Sequence, residues 1–373
     1  MKPYLPLEII TNILLRLSTQ SIATCKCVCK PWLNLIESDA FVKSHLSKSA
    51  PALAVSITKW DSNWFSVFKL EDELEPFSNW FDIYAKHGPI TKFDFRLEST
   101  IQCSANGLLL LKNACMDDHL YVCNPITREF VELRGLVTRK GDRFGFGVSK
   151  ISGQHKVVCH SHESGIHVYT LKARSMWRVV EAAPPFSDYC DSSICGAFFS
   201  GNLHWLVKSK TGDIHICCFD LETERFNTFL APPTNVTFTR GKLYGLGDCL
   251  CIHNDTLGNN LIWLLNEYEQ LENFWTTIQL IGEEHCNHYD YRKCSQPIKI
   301  YRNGGILMLH DRCFFYYSKE KRNVIGIDLI GEIDGDCLYF SSILFTPSFL
   351  SPKRNLGMEN AKSLSKKKLG IRM

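Results

Sequence analysis

The sequence predicts a small all-α module followed by a larger all-β domain. Three observations point there. Apolar residues fall at helical spacing over roughly the first 46 positions. Beyond residue 50 the pattern turns to short β-type runs separated by turn residues. Those runs also recur, at a spacing close to 49 residues.

From Leu5 to Leu17, apolar side chains stand at Leu5, Ile9, Ile10, Ile13, Leu14 and Leu17, as on one face of an α-helix. Pro6 sits where a first-turn proline is tolerated, and Glu8 where the helix dipole favours negative charge. A second helical stretch, broken or bent near Pro31, carries Ile22, Cys25, Val28, Cys29, Trp32, Leu35 and Ile36. Asp39 is placed to cap a short third segment holding Phe41, Val42, His45 and Leu46. Fewer than fifty residues cannot bury so many large apolar groups by themselves. The surplus predicts a surface meant for a partner helix.

Leu5-Pro6, Ile13-Leu14 with Arg16-Leu17, Val28-Cys29-Lys30-Pro31-Trp32 and Phe41…His45-Leu46 follow one another in an order and spacing that resembles an F-box over residues 3–46. Ser18 departs from a proline common in that family, and Thr24 and Cys25 replace basic or bulky residues. The F-box docks substrate receptors onto the Skp adaptor of Skp–cullin–F-box ubiquitin ligases. The resemblance therefore implies an adaptor-binding module, residues 1–48, built from Leu5, Pro6, Ile9, Ile13, Leu14, Leu17, Ile22, Val28, Cys29 and Trp32. Some of these pack inside the module and others touch the adaptor.

In the β region, Phe81, Phe130, Trp177, Phe226, Trp275 and Val324 close strand-like pairs, with separations of 49, 47, 49, 49 and 49. Turn signals at Gly107, Gly153, Gly201, Gly247 and Gly304 run in phase, separated by 46, 48, 46 and 57. A step of 46 back from Gly107 reaches Asp61, ahead of the run from Trp64 to Phe68. A period near fifty with several strands per unit is what a kelch-like β-propeller requires, here about six blades over residues 50–347. A lone blade cannot bury both faces, whereas a ring stacks them, so the recurrent Trp and Phe are expected to fill the wedges between blades. Tandem β-sandwiches are the rival fold, and the regular period counts against them. Residues 60–90 form the least regular unit.

Ser104-Ala105-Asn106-Gly107-Leu108-Leu109, Tyr121 to Arg128, Phe144-Gly145-Phe146-Gly147, Gly201-Asn202-Leu203-His204-Trp205 and Phe219 to Thr223 are similar to landmarks of the plant F-box-associated domain. Glu267-Tyr268 and Phe274-Trp275 resemble its later repeats.

The chain has 373 residues, 45% hydrophobic and 22% charged, with a net charge of +3, a composition unlike that of nucleic-acid-binding proteins. Residues 351–373 carry +6 and the remainder about −3. A basic tail, 348–373, is expected to be disordered, with Lys366-Lys367-Lys368 as a second, nuclear-signal reading. Seventeen cysteines without a signal-peptide pattern or an 18-residue apolar run predict a soluble, intracellular, reduced protein of the cytoplasm and/or nucleus.

Chemistry is hard to find. Cys25, Cys27 and Cys29 lack a second ligand pair at zinc-finger spacing, and core packing accounts for them. His285-Cys286-Asn287-His288, with Cys294, reads as a polar loop without a distant partner. His155, His160, His162 and His167 are read as loop or solvent-facing, with His160 and His162 on one side of a strand. Gly141–Gly147 lacks the lysine and helix of a phosphate loop and reads as a turn into a strand. No catalytic residue, metal or cofactor is expected.

The F-box resemblance implies a substrate receptor that binds a Skp-type adaptor, and through it a cullin, and recruits a target protein by loops on one rim of the β domain. Asp188–Ser193 and Glu283–Gln296 are the loops expected to do so. A non-degradative F-box scaffold and a propeller enzyme are the alternatives.

Overall fold

The structure, a computed structural model, describes residues 5–60, 62–70, 89–95, 97–113, 119–136, 138–139, 141–181, 185–186, 188–190, 195–232, 241–246, 249–256, 259–265, 275–280, 296–310, 312–321, 323–327 and 337–364. Four helices open it: α1 (Leu7–Leu14), α2 (Thr19–Cys25), α3 (Lys30–Ile36) and α4 (Asp39–Lys48). Local chemistry explains their limits. Pro6 is the N-cap of α1 and Glu8 lies in its first turn. Ser18 caps α2 by accepting a hydrogen bond from the Ser21 amide at 3.2 Å, a contact that a proline there could not make. Pro31 lies in the first turn of α3 rather than bending a longer helix, because a proline is harmless where the amide has no helical partner. At α4 the cap is Ser38, whose hydroxyl accepts from the Phe41 amide at 3.3 Å; Asp39, expected in that role, is the first helical residue.

Six antiparallel sheets follow, one per blade. Blade 1 contains β1 (Ala52–Thr58), β2 (Asn63–Lys69) and β3 (Thr91–Asp94). Blade 2 comprises β4 (Ser99–Ala105), β5 (Leu108–Asn113), β6 (Leu120–Asn124) and β7 (Glu129–Glu132). In blade 3 the strands are β8 (Arg143–Val148), β9 (His155–Ser161), β10 (Gly165–Thr170) and β11 (Arg178–Val180). Blade 4 has β12 (Asp188–Tyr189) and β13 (Ala197–Phe199), which share one side of β14 (Asn202–Lys208), then β15 (Ile214–Asp220) and β16 (Phe226–Leu230). Blade 5 holds β17 (Gly241–Gly245), β18 (Leu250–Thr256), β19 (Asn259–Leu265) and β20 (Thr276–Leu280). Blade 6 holds β21 (Gln296–Ile300), β22 (Ile306–His310), β23 (Cys313–Ser318) and β24 (Asn323–Ile327). Then β25 (Tyr339–Phe345) returns to pair with β1 in full register, Ala52 opposite Phe345, and completes blade 1 as its innermost strand. The ring is thus closed by the two ends of the domain.

This closure corrects the first repeat. Asp61, expected at the turn between first and second strands, lies outside the described residues, and the neighbouring Asn63 instead opens the third strand of its blade. Blade 1 is out of phase because its inner strand is supplied from the far end. Elsewhere the markers hold their places. Gly107, Gly153, Gly201 and Gly304 sit in turns between first and second strands. Phe130, Trp177, Phe226, Trp275 and Val324 lie in or beside the fourth strands, each packed back against the preceding blade. Phe81 and Gly247 lie outside the described residues.

Glycine in β8 has a steric cause. A Cβ at Gly145 would come within 2.5 Å of Leu203 Cδ1, and one at Gly147 within 2.4 Å of the Phe198 ring, so the inner strand meets blade 4 only without side chains there. Gly141 lies in the turn before β8, as read from the sequence.

Two further expectations fail. The tail expected to be disordered is packed as far as Leu364: Ser348, Phe349, Ser351 and Met358 are buried, and β26 (Lys362–Ser363) adds to the outer edge of β7. Its lysines and arginines, counted together, conceal the apolar residues between them; residues 365–373, with Lys366-Lys367-Lys368, lie outside the described residues. The cysteines are not all thiols either. Cys103 in β4 and Cys195, ahead of β13, form a disulfide across the inner wall. Cys123, Cys159, Cys217, Cys218, Cys249, Cys251 and Cys337 are buried thiols, as small core residues are.

Candidate protein-interaction surfaces

The helical module has a core of its own. Leu14, Ile22, Ile36, Phe41 and Val42 are buried together, and Trp32 packs against them partly buried. What completes this core comes from the propeller. Phe349 enters it, flanked by Ile126 and Leu350. His45 meets the Phe349 ring edge-on at 5.0 Å, and burial holds its imidazole pKa below the usual value. Polar contacts surround this plug. Asn355 Nδ2 donates to the Glu37 carbonyl at 3.2 Å and to Asp39 Oδ1 at 2.7 Å. Glu37 pairs with Lys26 at 2.8 Å and with Arg354.

With the core filled, a set of large apolar side chains is left outside. Leu5, Ile9 and Ile13 follow one another at four-residue spacing and are 58%, 44% and 49% exposed. Leu17 continues the line, and Leu7 and Val28 (61% exposed) are also in solvent. Of the residues expected to bind an adaptor, Leu5, Pro6, Ile9, Ile13, Leu17, Val28 and Cys29 are exposed, while Leu14 and Ile22 are inside. Cys29 is the N-cap residue of α3. An unpartnered apolar stripe of this kind is unusual on a monomer and marks an interaction site.

The second surface follows from topology. In a four-stranded meander, turns between strands one and two, and three and four, share one face; the remaining loops share the other. The helical module sits on the first face. Its groove against the propeller is lined by Leu15, His45, Pro51, Lys69, Ile90 and Pro347. The opposite face is where one blade leads into the next, and the described residues of both expected target-binding loops lie at that end. Of these, Asp188 and Tyr189 form β12, Gln296 opens β21, and residues 191–193 and 283–295 lie outside the described residues.

Beside β12 this distal face carries an aromatic and basic cluster. Phe186 and Tyr189 rings meet at 4.9 Å, and the Arg143 guanidinium lies 5.1 Å from the Tyr189 centroid. His160 Nδ1 is hydrogen-bonded to the Tyr189 hydroxyl, and its ring lies 5.6 Å from that of His162. Burial first, then the neighbouring His162, lowers the His160 pKa to about 4. His155, read from the sequence as loop or solvent-facing, is buried against Phe146, and burial brings its pKa to about 4. The strand pattern alone could not separate it from its exposed neighbours. Among the described residues no three His, Cys, Asp or Glu stand together at metal-binding range. His285-Cys286-Asn287-His288 and Cys294 lie outside them. No described helix is long and apolar enough to cross a membrane.

Sequence reasoning missed the segment after β25 that joins the helical module to the propeller. Asn124, buried, donates to the carbonyls of Ser348 at 3.0 Å and Leu350 at 2.7 Å, and its Oδ1 accepts from the Ile126 amide at 2.8 Å. Asp220 forms the same turn in blade 4, accepting from the amides of Glu222 and Thr223. The only local signal for the strap is the apolar pair Phe349-Leu350 after the last strand.

A four-helix module fixed to a six-bladed propeller, with an apolar stripe left exposed on the module, defines a class of two-part proteins. The chain belongs to the F-box proteins with a β-propeller domain: residues 3–44 match the F-box domain and residues 55–332 the F-box associated beta propeller domain. It is 29% identical over 248 residues to the putative F-box protein At3g16210 of Arabidopsis thaliana, covering 63% of this chain and 62% of that protein. Identity to the F-box protein At5g65850 of the same plant is 33% over 229 residues, covering 60% of this chain and 55% of that one. The chain thus spans less than two thirds of the length of these relatives. Among solved structures, a 6-phosphogluconolactonase homologue from Bacteroides uniformis, itself described as putative, overlays with a TM-score of 0.41 at 11% identity, over 83% of this chain and 87% of that one. That overlay is too loose to carry an argument.

Proposed function

We propose that this chain is the substrate-recognition subunit of a Skp–cullin–F-box E3 ubiquitin ligase of the cytoplasm and/or nucleus. The observation that carries the reading is the stripe of Leu5, Ile9, Ile13 and Leu17, left exposed by a helical core that is complete without it. A Skp-type adaptor, itself bound to a cullin, would cover the stripe. Each Leu or Ile buried there contributes about 1.5–3 kcal/mol. The target protein would be held on the distal face, where Phe186, Tyr189, His160 and Arg143 supply the aromatic and cationic side chains typical of interface anchors. On this reading ubiquitin transfer belongs to other subunits, and no residue here takes part in bond making.

The test is co-purification of the full chain with a Skp-type adaptor, beside an Ile9→Asp, Ile13→Asp variant. Capture by the native chain and loss in a variant of unchanged unfolding midpoint support the reading. Equal capture by both would remove the stripe from the interface, and no capture by either would overturn the reading. Turnover of a bound target that stops under proteasome inhibition separates a degradative receptor from a scaffold.

A further inference from the structure

The inner strands β4, β13, β17, β21 and β25 enclose a cavity of about 380 Å³ on the propeller axis, within the size range of small-molecule sites. Its wall mixes polar and apolar surface in nearly equal measure, with Phe198, Leu243 and Phe340 supplying apolar side chains. Lys242 is the only charged residue among those that line it. It is half-buried, and no described residue forms an ion pair or hydrogen bond with its ammonium group. Ser342, on β25, lines the same space and is 95% buried, yet its hydroxyl has no hydrogen-bond partner among the described residues. Gln102 and Gln296 add amide groups to the wall.

A buried hydroxyl without a partner costs stability, and a half-buried cation beside it favours a nearby anion. Both are met by one kind of ligand: an anion whose oxygens accept hydrogen bonds from Lys242 and Ser342 and whose apolar body lies on the apolar part of the wall. We infer that the axial cavity binds a small organic carboxylate, with its carboxylate between Lys242 and Ser342 and its hydrocarbon body against Phe198, Leu243 and Phe340. The inference does not depend on adaptor binding or on the ligase reading. Lys242 is the second residue of β17, so the charged end of the site lies toward the distal face.

The experiment is calorimetric titration of the full chain at neutral pH with benzoate and hexanoate, and with benzamide and hexanamide as uncharged matches. The carboxylates are expected to bind at least tenfold more tightly than the amides. Lys242→Met should abolish that difference without moving the unfolding midpoint, and Lys242→Arg should retain part of it. The native chain is also acetylated at its lysines with and without benzoate, and the products are read by mass spectrometry. Slower acetylation of Lys242 in the presence of benzoate would place the ligand where we put it. Three results would each overturn the inference: no carboxylate binding at millimolar concentration, equal binding of acid and amide, or binding that leaves Lys242 acetylation unchanged.

Discussion

Ile13 and Leu14 are adjacent and chemically alike, yet the turn of one helix gives them opposite work. Leu14 faces Ile22, Phe41 and Phe349; Ile13 faces water. Truncation should separate the two roles. Leu14→Ala is expected to lower stability by about 2–5 kcal/mol, as buried Leu→Ala changes do. Ile13→Ala should leave the denaturation midpoint almost unmoved while weakening adaptor capture about tenfold or more. A midpoint shift of similar size in both would show that α1 does not divide its faces this way. Histidine gives a second test at this scale. His155 and His204 are buried, and burial lowers the pKa of each to about 4. The folded chain keeps both neutral, while the unfolded chain takes up protons near pH 6.5. Stability is therefore complete above that pH and is lost as pH falls from 6.5 toward 4. At pH 5 the loss amounts to about 2 kcal/mol for each histidine. Urea midpoints at pH 7.5 and pH 5 measure it. The lowered carboxylates Glu132 and Glu224 act in a lower window, below about pH 4.5, so a flat profile between 7.5 and 5 would contradict the burial of these imidazoles.

At the scale of elements, the strap after β25 is the joint between module and propeller. Gly107 has a φ of +86°, and a Cβ there would lie 1.9 Å from Ser348 Oγ, so the turn between β4 and β5 receives the strap only with glycine. Gly107→Ala is expected to cost about 1–3 kcal/mol and to loosen the helical module. Asn124→Ala, which removes two hydrogen bonds to the strap and the brace of its own turn, should do the same at about 1–3 kcal/mol. Limited proteolysis between α4 and β1 should become faster in both variants; unchanged cleavage would show that the strap does not hold the module. These elements also show what could be read in advance. The outer-strand aromatics Trp177, Phe226 and Trp275 repeat because every blade has the same wedge to fill, so a local pattern exposed the architecture. Blade 1 escaped because its inner strand pairs Ala52 with Phe345, a link that no local window contains. Cys103 and Cys195, 92 residues apart, escaped for the same reason. The apolar surplus of the first helices was legible. Which of its members lie inside was not, because Phe349 and Ile126 decide it.

For the whole molecule, the position of the module fixes the direction in which the propeller works. Helices occupy the face of the turns that join strands one to two and three to four, and the blades lead into one another at the other end, so adaptor and target are expected on opposite ends of the molecule. A chain ending at Phe345 would keep all six sheets of the ring but lose Phe349, Asn355 and β26. We expect such a chain to keep its β-type circular dichroism, to unfold in two separate steps rather than one, and to capture the adaptor less well. A single transition with full capture would refute the joint. The strap has a further consequence for the chain's own synthesis. The helices leave the ribosome first, but the phenylalanine that fills their core is made about 300 residues later, on the order of 15–60 s at ordinary elongation rates. A product of premature termination would therefore show cellular quality control an unfinished docking module. In a receptor of the kind proposed, recruitment would in this way wait on synthesis of the segment that carries Phe349.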